Sequence, residues 1–347
     1  MQVSVIDPFG VSNDLEMPTL ALALDPAAVQ RQFRKHLPRL AGAPSPVDMK
    51  LSAIRVARHK PGRRCVLEYD LGLERRGAPP EALTLIGKVR ARRYGNADYR
   101  RLHAVWSAGF QDDSPDGVSV PEPLGVVPRF RMSLQRKVAG ELCTSALLKP
   151  DGVTLAVRIA EANHKLHRAN VPTDRDHGMN DELRILHQHL PLVARARPKW
   201  RTRLARILRA CDELGARVPA PRLGGIHRDF YSGQVIVDKG RLWLLDFDLY
   251  CRGDPALDIG NFLGHITEQS LRTFGTPTAL VDREEAMEDR FVQLSGEASR
   301  PAVRAYATLT LARHLYLSSR FPERLRLTEQ LISLCEQRLG LADNGSG

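Results

Sequence analysis

The stretch that most constrains this chain is residues 225–265, GIHRDFYSGQVIVDKGRLWLLDFDLYCRGDPALDIGNFLGH. Two short apolar runs in it, 234–237 and 242–245, have strand length and β-branched or aromatic content, and Asp238-Lys239-Gly240-Arg241 supplies a turn between them. The pair predicts a β-hairpin. Acid bounds both strands: Asp229 precedes the first, and Asp246 and Asp248 follow the second. A hairpin aligns its open ends, so Asp229 and Asp246 are expected at one end and Asp238 at the turn. Carboxylates gathered beside apolar strands repel one another and are costly to desolvate, so a cation or a proton must hold them together. The pattern points to a magnesium-dependent site.

Taken singly, each acid reads as a helix cap or a turn residue: Asp238-Lys239-Gly240 is a turn, and Gly253-Asp254-Pro255 alone reads as a loop closing before a helix. The joint spacing carries the argument. His227-Arg228-Asp229, four residues, Gln234, then Asp246-Phe247-Asp248, Gly253-Asp254-Pro255 and Asp258 resemble the active-site segment of the aminoglycoside phosphotransferase and choline kinase-like family. That resemblance implies an α+β, two-lobed protein-kinase-like fold, with a small antiparallel-sheet N-lobe and a larger, mainly helical C-lobe. It further implies that Asp229 is the catalytic base for a substrate hydroxyl and that Asp246 holds Mg²⁺ on the phosphates of ATP or GTP. Gln234 stands where the family usually has Asn; its amide oxygen is the same hard ligand on a longer stem, and maltokinase-type sugar kinases look similar here. His227, Asp248 and Asp258 are expected to brace the loops around these groups.

Residues 1–50 read as an N-terminal extension: 1–24 have no clear period, and Asp25-Pro26 caps a short helix over 27–37 that Pro38 closes. Residues 51–139 are expected to form the nucleotide-binding lobe. Runs 51–59, 65–73 and 83–89 predict an antiparallel meander, with a polar insert at 74–80. In the family's plan the turn containing Gly62, Arg63 and Arg64 would cover the nucleotide phosphates, although a basic hairpin turn explains it equally well. Lys88 resembles the strand lysine that neutralises phosphates. Between residues 96 and 109 the acid available to partner it is Asp98, where the family has Glu. Runs 120–127 and 131–138 predict two further strands, with Pro121, Pro123 and Pro128 favouring an edge. Residues 134–141 fit the family's hinge, placing Gln135 and Lys137 beside the nucleotide and Gly140 at the joint.

Residues 140–347 are expected to be the helical lobe. Helical periodicity covers 153–168, 181–190 and 200–214, then 259–268, 282–294, 301–319 and 322–339 beyond the central stretch, with 342–347 a frayed tail. His187-x-His189 diverges by about 200° on a helix, which disfavours a zinc site. Glu284, Glu285, Glu288 and Asp289 are the acids that could meet a polycationic acceptor, or else line a solvated helix face.

Composition sets outer bounds. The 347 residues are 43% hydrophobic and 26% charged, ordinary for a globular protein with a sizeable core. The net charge of +11 suits an anionic ligand, and residues 1–140 hold roughly 22 Lys+Arg against 14 Asp+Glu. No DNA- or RNA-binding motif accompanies that charge, so no nucleic-acid partner is expected. The five cysteines are far apart, odd in number and without a C-x-x-C pair, as expected of reduced thiols in a cytoplasmic protein. No apolar run approaches 18 residues, so no membrane partner is expected. The reading is a kinase acting on a small-molecule hydroxyl such as that of an aminoglycoside, sugar or amino alcohol. A weakly catalytic, pseudokinase-like nucleotide binder is the alternative, motivated by Gln234 and the unsettled partner of Lys88. A glycoside hydrolase using Asp229 and Asp246 and a charge-driven nucleic-acid module rank below it.

Overall fold

Long two-faced strands dominate the first part of the chain in the computed structural model, which describes residues 2–37, 47–75, 79–91 and 96–341. The predicted positions at Pro38, within the 74–80 insert and at 342–347 fall wholly or partly outside those residues. The chain divides into two units, the first comprising residues 1–139 with 243–248 and the second 140–242 with 249–347.

The first unit contains β1 (Ser4–Ile6), α1 (Thr19–Leu24), α2 (Pro26–His36), β2 (Val47–Lys60), β3 (Arg64–Arg75), β4 (Glu81–Arg90), α3 (Asn96–Ser107), β5 (Val118–Ser119), β6 (Pro123–Val127) and β7 (Met132–Arg136). Its sheet runs β1-β2-β3-β4-β7-β6, antiparallel except where β1 lies parallel to β2. The meander forms as expected, and proline-flanked β6 takes the edge, where a missing N–H is tolerated. The strands alternate by pleat: Leu67, Tyr69 and Leu71 of β3 and Leu83, Leu85 and Val89 of β4 are buried on one face. Phe33 of α2 meets Tyr69 edge-on at 4.9 Å, and the Tyr69 hydroxyl donates to the Ala23 carbonyl at 3.0 Å. Asp25 caps α2 by accepting from Ala27 and Ala28, as its sequence announces.

The N-terminal stretch, expected to pack on the first lobe or to stay loose, packs on the first unit. Residues 1–24, which show no period, supply a strand, a short helix and the core residues Val11, Met17 and Leu20. A three-residue strand and a six-residue helix are too short to display a period.

The second unit contains β8 (Glu141–Leu142), α4 (Cys143–Ala146), α5 (Gly152–Arg168), β9 (Asp176–His177), α6 (Met179–Ala196), α7 (Arg201–Ala216), β10 (Gly224–Ile226), β11 (Val235–Asp238), the start of β12 (Arg241–Leu244), β13 (Cys251–Gly253), α8 (Pro255–Phe274), α9 (Val281–Ser295), α10 (Arg300–Ser319) and α11 (Leu325–Arg338). β11 neighbours β12, which forms the predicted hairpin, and also pairs with β8. β10 pairs with β13, which pairs in turn with β9. Helix α8 is buried along nearly its whole length and packs most closely on α10. Gly260 and Gly264, one turn apart, make that approach possible: a Cβ on Gly260 would lie 2.6 Å from the Val303 carbonyl oxygen. No helix among the described residues is long and apolar enough to cross a membrane.

Candidate active site

Strand β4 sets the first half of the site. Its core face takes the odd-numbered residues, so Thr84, Ile86, Lys88 and Arg90 share the other face. The Lys88 ammonium reaches the Asp246 carboxylate at 3.3 Å, with both side chains about a quarter exposed. Asp246 holds a left-handed backbone, φ 61°, which a short polar side chain tolerates better than most. Two residues along each segment the pattern repeats, because Arg90 pairs with Asp248. Phe247 between the two acids is buried.

Asp98 is corrected here. The acid expected to partner Lys88 bonds instead to Arg90 and, at 2.6 Å, to Arg101. Asp98 lies in the first turn of α3, which begins at Asn96, the next helix after β4 ends at Arg90. A side chain this short meets the last basic residue of the strand, Arg90, before one two positions back.

The Lys60–Arg64 turn departs from its expected role at one residue. Gly62, with φ 62°, donates its N–H to Asp14 Oδ2 at 2.9 Å, an atom that also bonds His59 Nε2 at 2.8 Å. The Gly62 N–H, helped by His59, holds the Asp14 carboxyl below its usual range despite burial. An N-terminal carboxylate, 48 residues away in sequence, thus takes the amide expected to face a phosphate. Arg64 lines a cavity with Arg58, Lys88, Arg90, Asp246 and Asp248. Arg63 remains in the turn, its N–H donating to Lys60 and its carbonyl accepting from Ala91. On the neighbouring strand, Gln135 lines a second cavity with Lys88, Asp98, Tyr99, Ser133 and Asp246. Lys137 points elsewhere, to Glu68 at 2.8 Å, while its backbone N–H donates to Thr84.

The second unit carries the H-R-D segment between β10 and β11. Asp258, in the first turn of α8 and fully buried, accepts from the backbone N–H of His227 at 2.8 Å and of Arg228 at 2.7 Å. His167 Nε2 at 3.0 Å and Asn163 Nδ2 at 3.2 Å, both from α5, complete its set. A carboxylate only accepts, so His167 carries its proton on Nε2. Burial pushes the Asp258 carboxyl up, but the His167 hydrogen bond, the nearby His167 and His227 rings and the His227 N–H outweigh it and hold it below the carboxylate range. Three residues along α8, Asn261 donates to the Phe230 carbonyl at 2.8 Å. One helix face therefore grips both sides of Asp229, which is itself half-buried. Gln234 is buried in the short helical turn that follows, its N–H donating to Tyr231. The Tyr231 ring stacks on His265 of α8 at 4.6 Å.

Asn163, Asn261 and Arg90 were not anticipated. Asn261 had a signal in its spacing, an amide three residues after Asp258 on the same helix, and Arg90 had one in sharing a strand face with Lys88. Of the acids considered for a polycation, Glu288 pairs with Arg300 and Arg304, Asp289 with Arg300, and Glu284 packs against Thr267 and Arg338. Glu285 faces solvent.

Asp246 and Gln234 offer hard oxygen donors of the kind Mg²⁺ takes, and Asp246 keeps its carboxylate partly exposed beside a counter-charge. Among the described residues, no cluster of three or more His, Cys, Asp or Glu could hold a metal ion. A divalent ion at Asp246 would need further oxygens, as phosphate supplies in phosphoryl-transfer sites.

An antiparallel sheet bearing a lysine on an acid, and a helical unit presenting a carboxylate-braced H-R-D loop, define a protein-kinase-like phosphotransferase fold. The family model for APH, the phosphotransferase enzyme family, matches residues 90–306, and the chain belongs to that family. Its fold is similar to that of a choline/ethanolamine kinase family protein from Mesorhizobium loti, with a TM-score of 0.57, 15% identity, and 90% of this chain and 95% of that one covered. It is similar to aminoglycoside phosphotransferase APH(4)-Ia, at TM-score 0.54, 15% identity and coverage of 92% and 99%. Amicoumacin kinase hAmiN, solved with AMP-PNP, Ca²⁺ and Ami, gives TM-score 0.57, 14% identity and coverage of 82% and 88%. No curated protein matches the chain in sequence.

Proposed function

We propose that this phosphotransferase moves the γ-phosphoryl group of ATP or GTP to a hydroxyl of a small molecule. The observation that carries the reading is the Lys88–Asp246 pair on the open face of β4, a cation and a hard anion poised to exchange each other for phosphate and metal. In this reading Lys88 neutralises the nucleotide phosphates and Asp229 orients the acceptor hydroxyl and takes its proton. Asp246 and Gln234 are the residues that would hold Mg²⁺, which would supply positive charge against the phosphates. Asp258 keeps the loop carrying Asp229 in place through the His227 and Arg228 amides. Similar structures solved with AMP-PNP and hygromycin B, and with AMP-PNP, Ca²⁺ and Ami, support the donor and acceptor classes.

The acceptor reading narrows on charge. The second unit holds 29 Lys and Arg against 24 Asp and Glu, a net +5, and three of the four candidate acids of α9 are engaged with neighbouring side chains. That balance supports a neutral polyhydroxyl acceptor, such as a sugar, over a polycation.

Thermal shift with ATP or GTP, each with and without Mg²⁺, tests the nucleotide half. Saturation at about 100-fold over Kd stabilises the folded chain by about 2.7 kcal/mol, so a clear rise that needs both components is expected, and Lys88→Met should reduce it. No rise with either nucleotide at millimolar concentration would remove the proposal.

A further inference from the structure

Arg90 is not needed for the chemistry just described, yet it is the most heavily paired cation of the nucleotide-side unit's site. We propose that Arg90 is a positioning residue that fastens helix α3 and the 246–248 segment to strand β4. In protein kinases a strand lysine paired with a helix glutamate performs this alignment. The inference rests on the phosphotransferase reading of Lys88 and Asp246.

Three observations carry it. First, Lys88 and Arg90 lie two apart on one strand face and meet Asp246 and Asp248, themselves two apart, so the contacts form two parallel rungs. Second, Arg90 spends its guanidinium on two acids at once, with Nε toward Asp98 of α3 and Nη2 toward Asp248. A planar fork suits that double duty and a lysine does not. Third, the side chains of Arg90, Asp98 and Asp248 are 21%, 14% and 18% exposed, more sheltered than the Lys88–Asp246 pair at 23% and 29%. Shelter from water and a second partner make the Arg90 contacts the firmer of the two sets.

The two rungs then divide the labour. With nucleotide and metal bound, Lys88 would turn to phosphate and Asp246 to the ion, giving up their mutual contact. The Arg90 contacts involve neither group, so they persist and keep Asp246 in register with Lys88 through the exchange. The departure at Asp98 follows from the same division, because among the described residues Lys88 pairs with Asp246 rather than a helix acid, and α3 is held by Arg90.

The test uses the full chain with Arg90→Met, Arg90→Lys, Asp98→Asn and Lys88→Met. In hydrogen exchange without nucleotide, Arg90→Met should raise exchange in α3 and at residues 247–249 about tenfold or more. Asp98→Asn should do so in α3 alone, and Lys88→Met in neither. In turnover, Arg90→Met should lower kcat about 10- to 100-fold and raise the Mg²⁺ midpoint, leave KM for nucleotide within about threefold, and be partly rescued by Arg90→Lys. Combined with Asp98→Asn it should be no worse than alone, since both break one latch. Unchanged α3 exchange in Asp98→Asn or in folded Arg90→Met overturns the proposal, as does an unchanged kcat with an unchanged Mg²⁺ midpoint. If the parent chain transfers no phosphoryl group, the functional reading fails by itself, and the exchange data still decide the latch.

Discussion

Four donors converge on the buried carboxylate of Asp258, and magnitudes explain why a charge persists there. Burying an ion costs several kcal/mol even after relaxation, while each hydrogen bond to a charged group returns about 1.5–3 kcal/mol. Four such bonds close the gap. Two of them also hold Arg228 at φ 70°, a left-handed conformation costing roughly 1–2 kcal/mol for a residue with a side chain. The strain is thus sustained by the helix beneath it and fixes the backbone immediately before Asp229. Glu284 is the opposite case. Burial pushes its carboxyl up to about 7 against the pull of Arg338 and Thr267. The Thr267 hydroxyl donates to Glu284 Oε1 at 2.8 Å, and with Arg338 it favours the charged form without offsetting the burial. A carboxyl raised in the folded state binds a proton that the unfolded chain, near 4.3, has released. Stability therefore falls as pH rises from about 4.3 to 7 and levels off above. Tm measured at pH 5 and pH 8 should drop more for the parent chain than for Glu284→Gln, and equal drops would refute the shift.

Helix α8 is the element on which the second unit depends, since one face carries Asp258 and Asn261 and the opposite constraint is contact with α10 at Gly260 and Gly264. Gly260→Ala places a methyl against the Val303 carbonyl and the Ala307 nitrogen, backbone atoms that cannot rotate away. A cost of about 1–3 kcal/mol in a urea titration is expected, with a loss of activity larger than the stability change predicts, because Asp258 moves with the helix. An unchanged midpoint would show that α8 and α10 separate freely. The helices and the meander were legible in advance because each is long enough to show its period and carries its own punctuation, such as Asp25-Pro26 and Asp254-Pro255. Asp229, Gln234, Asp246 and Asp258 stand out in the sequence as candidates because they share one short stretch. The contacts that escaped prediction join distant segments: Asp14 to Gly62, Asn163 to Asp258, and Arg90 to Asp248 across 158 residues. Nothing local marks such pairs, and the N-terminal pieces that pack under the sheet are too short to announce themselves.

At the scale of the whole molecule, the excess of +11 is shared by both units, +6 in the first and +5 in the second. In the first, Arg58, Arg64, Lys88 and Arg90 gather at one cavity with Asp246 and Asp248. In the second, arginines are bound into the helix packing, as Arg203 is to Glu336 and Arg300 to Glu288 and Asp289. All five cysteines are buried and unbridged, and burial raises their thiols well above neutral pH, so none is a ready nucleophile competing with the carboxylate chemistry. The central claim is phosphoryl transfer through Asp229 and Asp246. It is tested most directly by mass spectrometry of a panel of sugars, amino alcohols and aminoglycosides incubated with the protein, Mg²⁺ and ATP or GTP. The account predicts that the parent chain adds one phosphoryl group to a hydroxyl acceptor, and that Asp229→Ala and Asp246→Ala fold normally and add none. Full transfer by purified Asp229→Ala would contradict it.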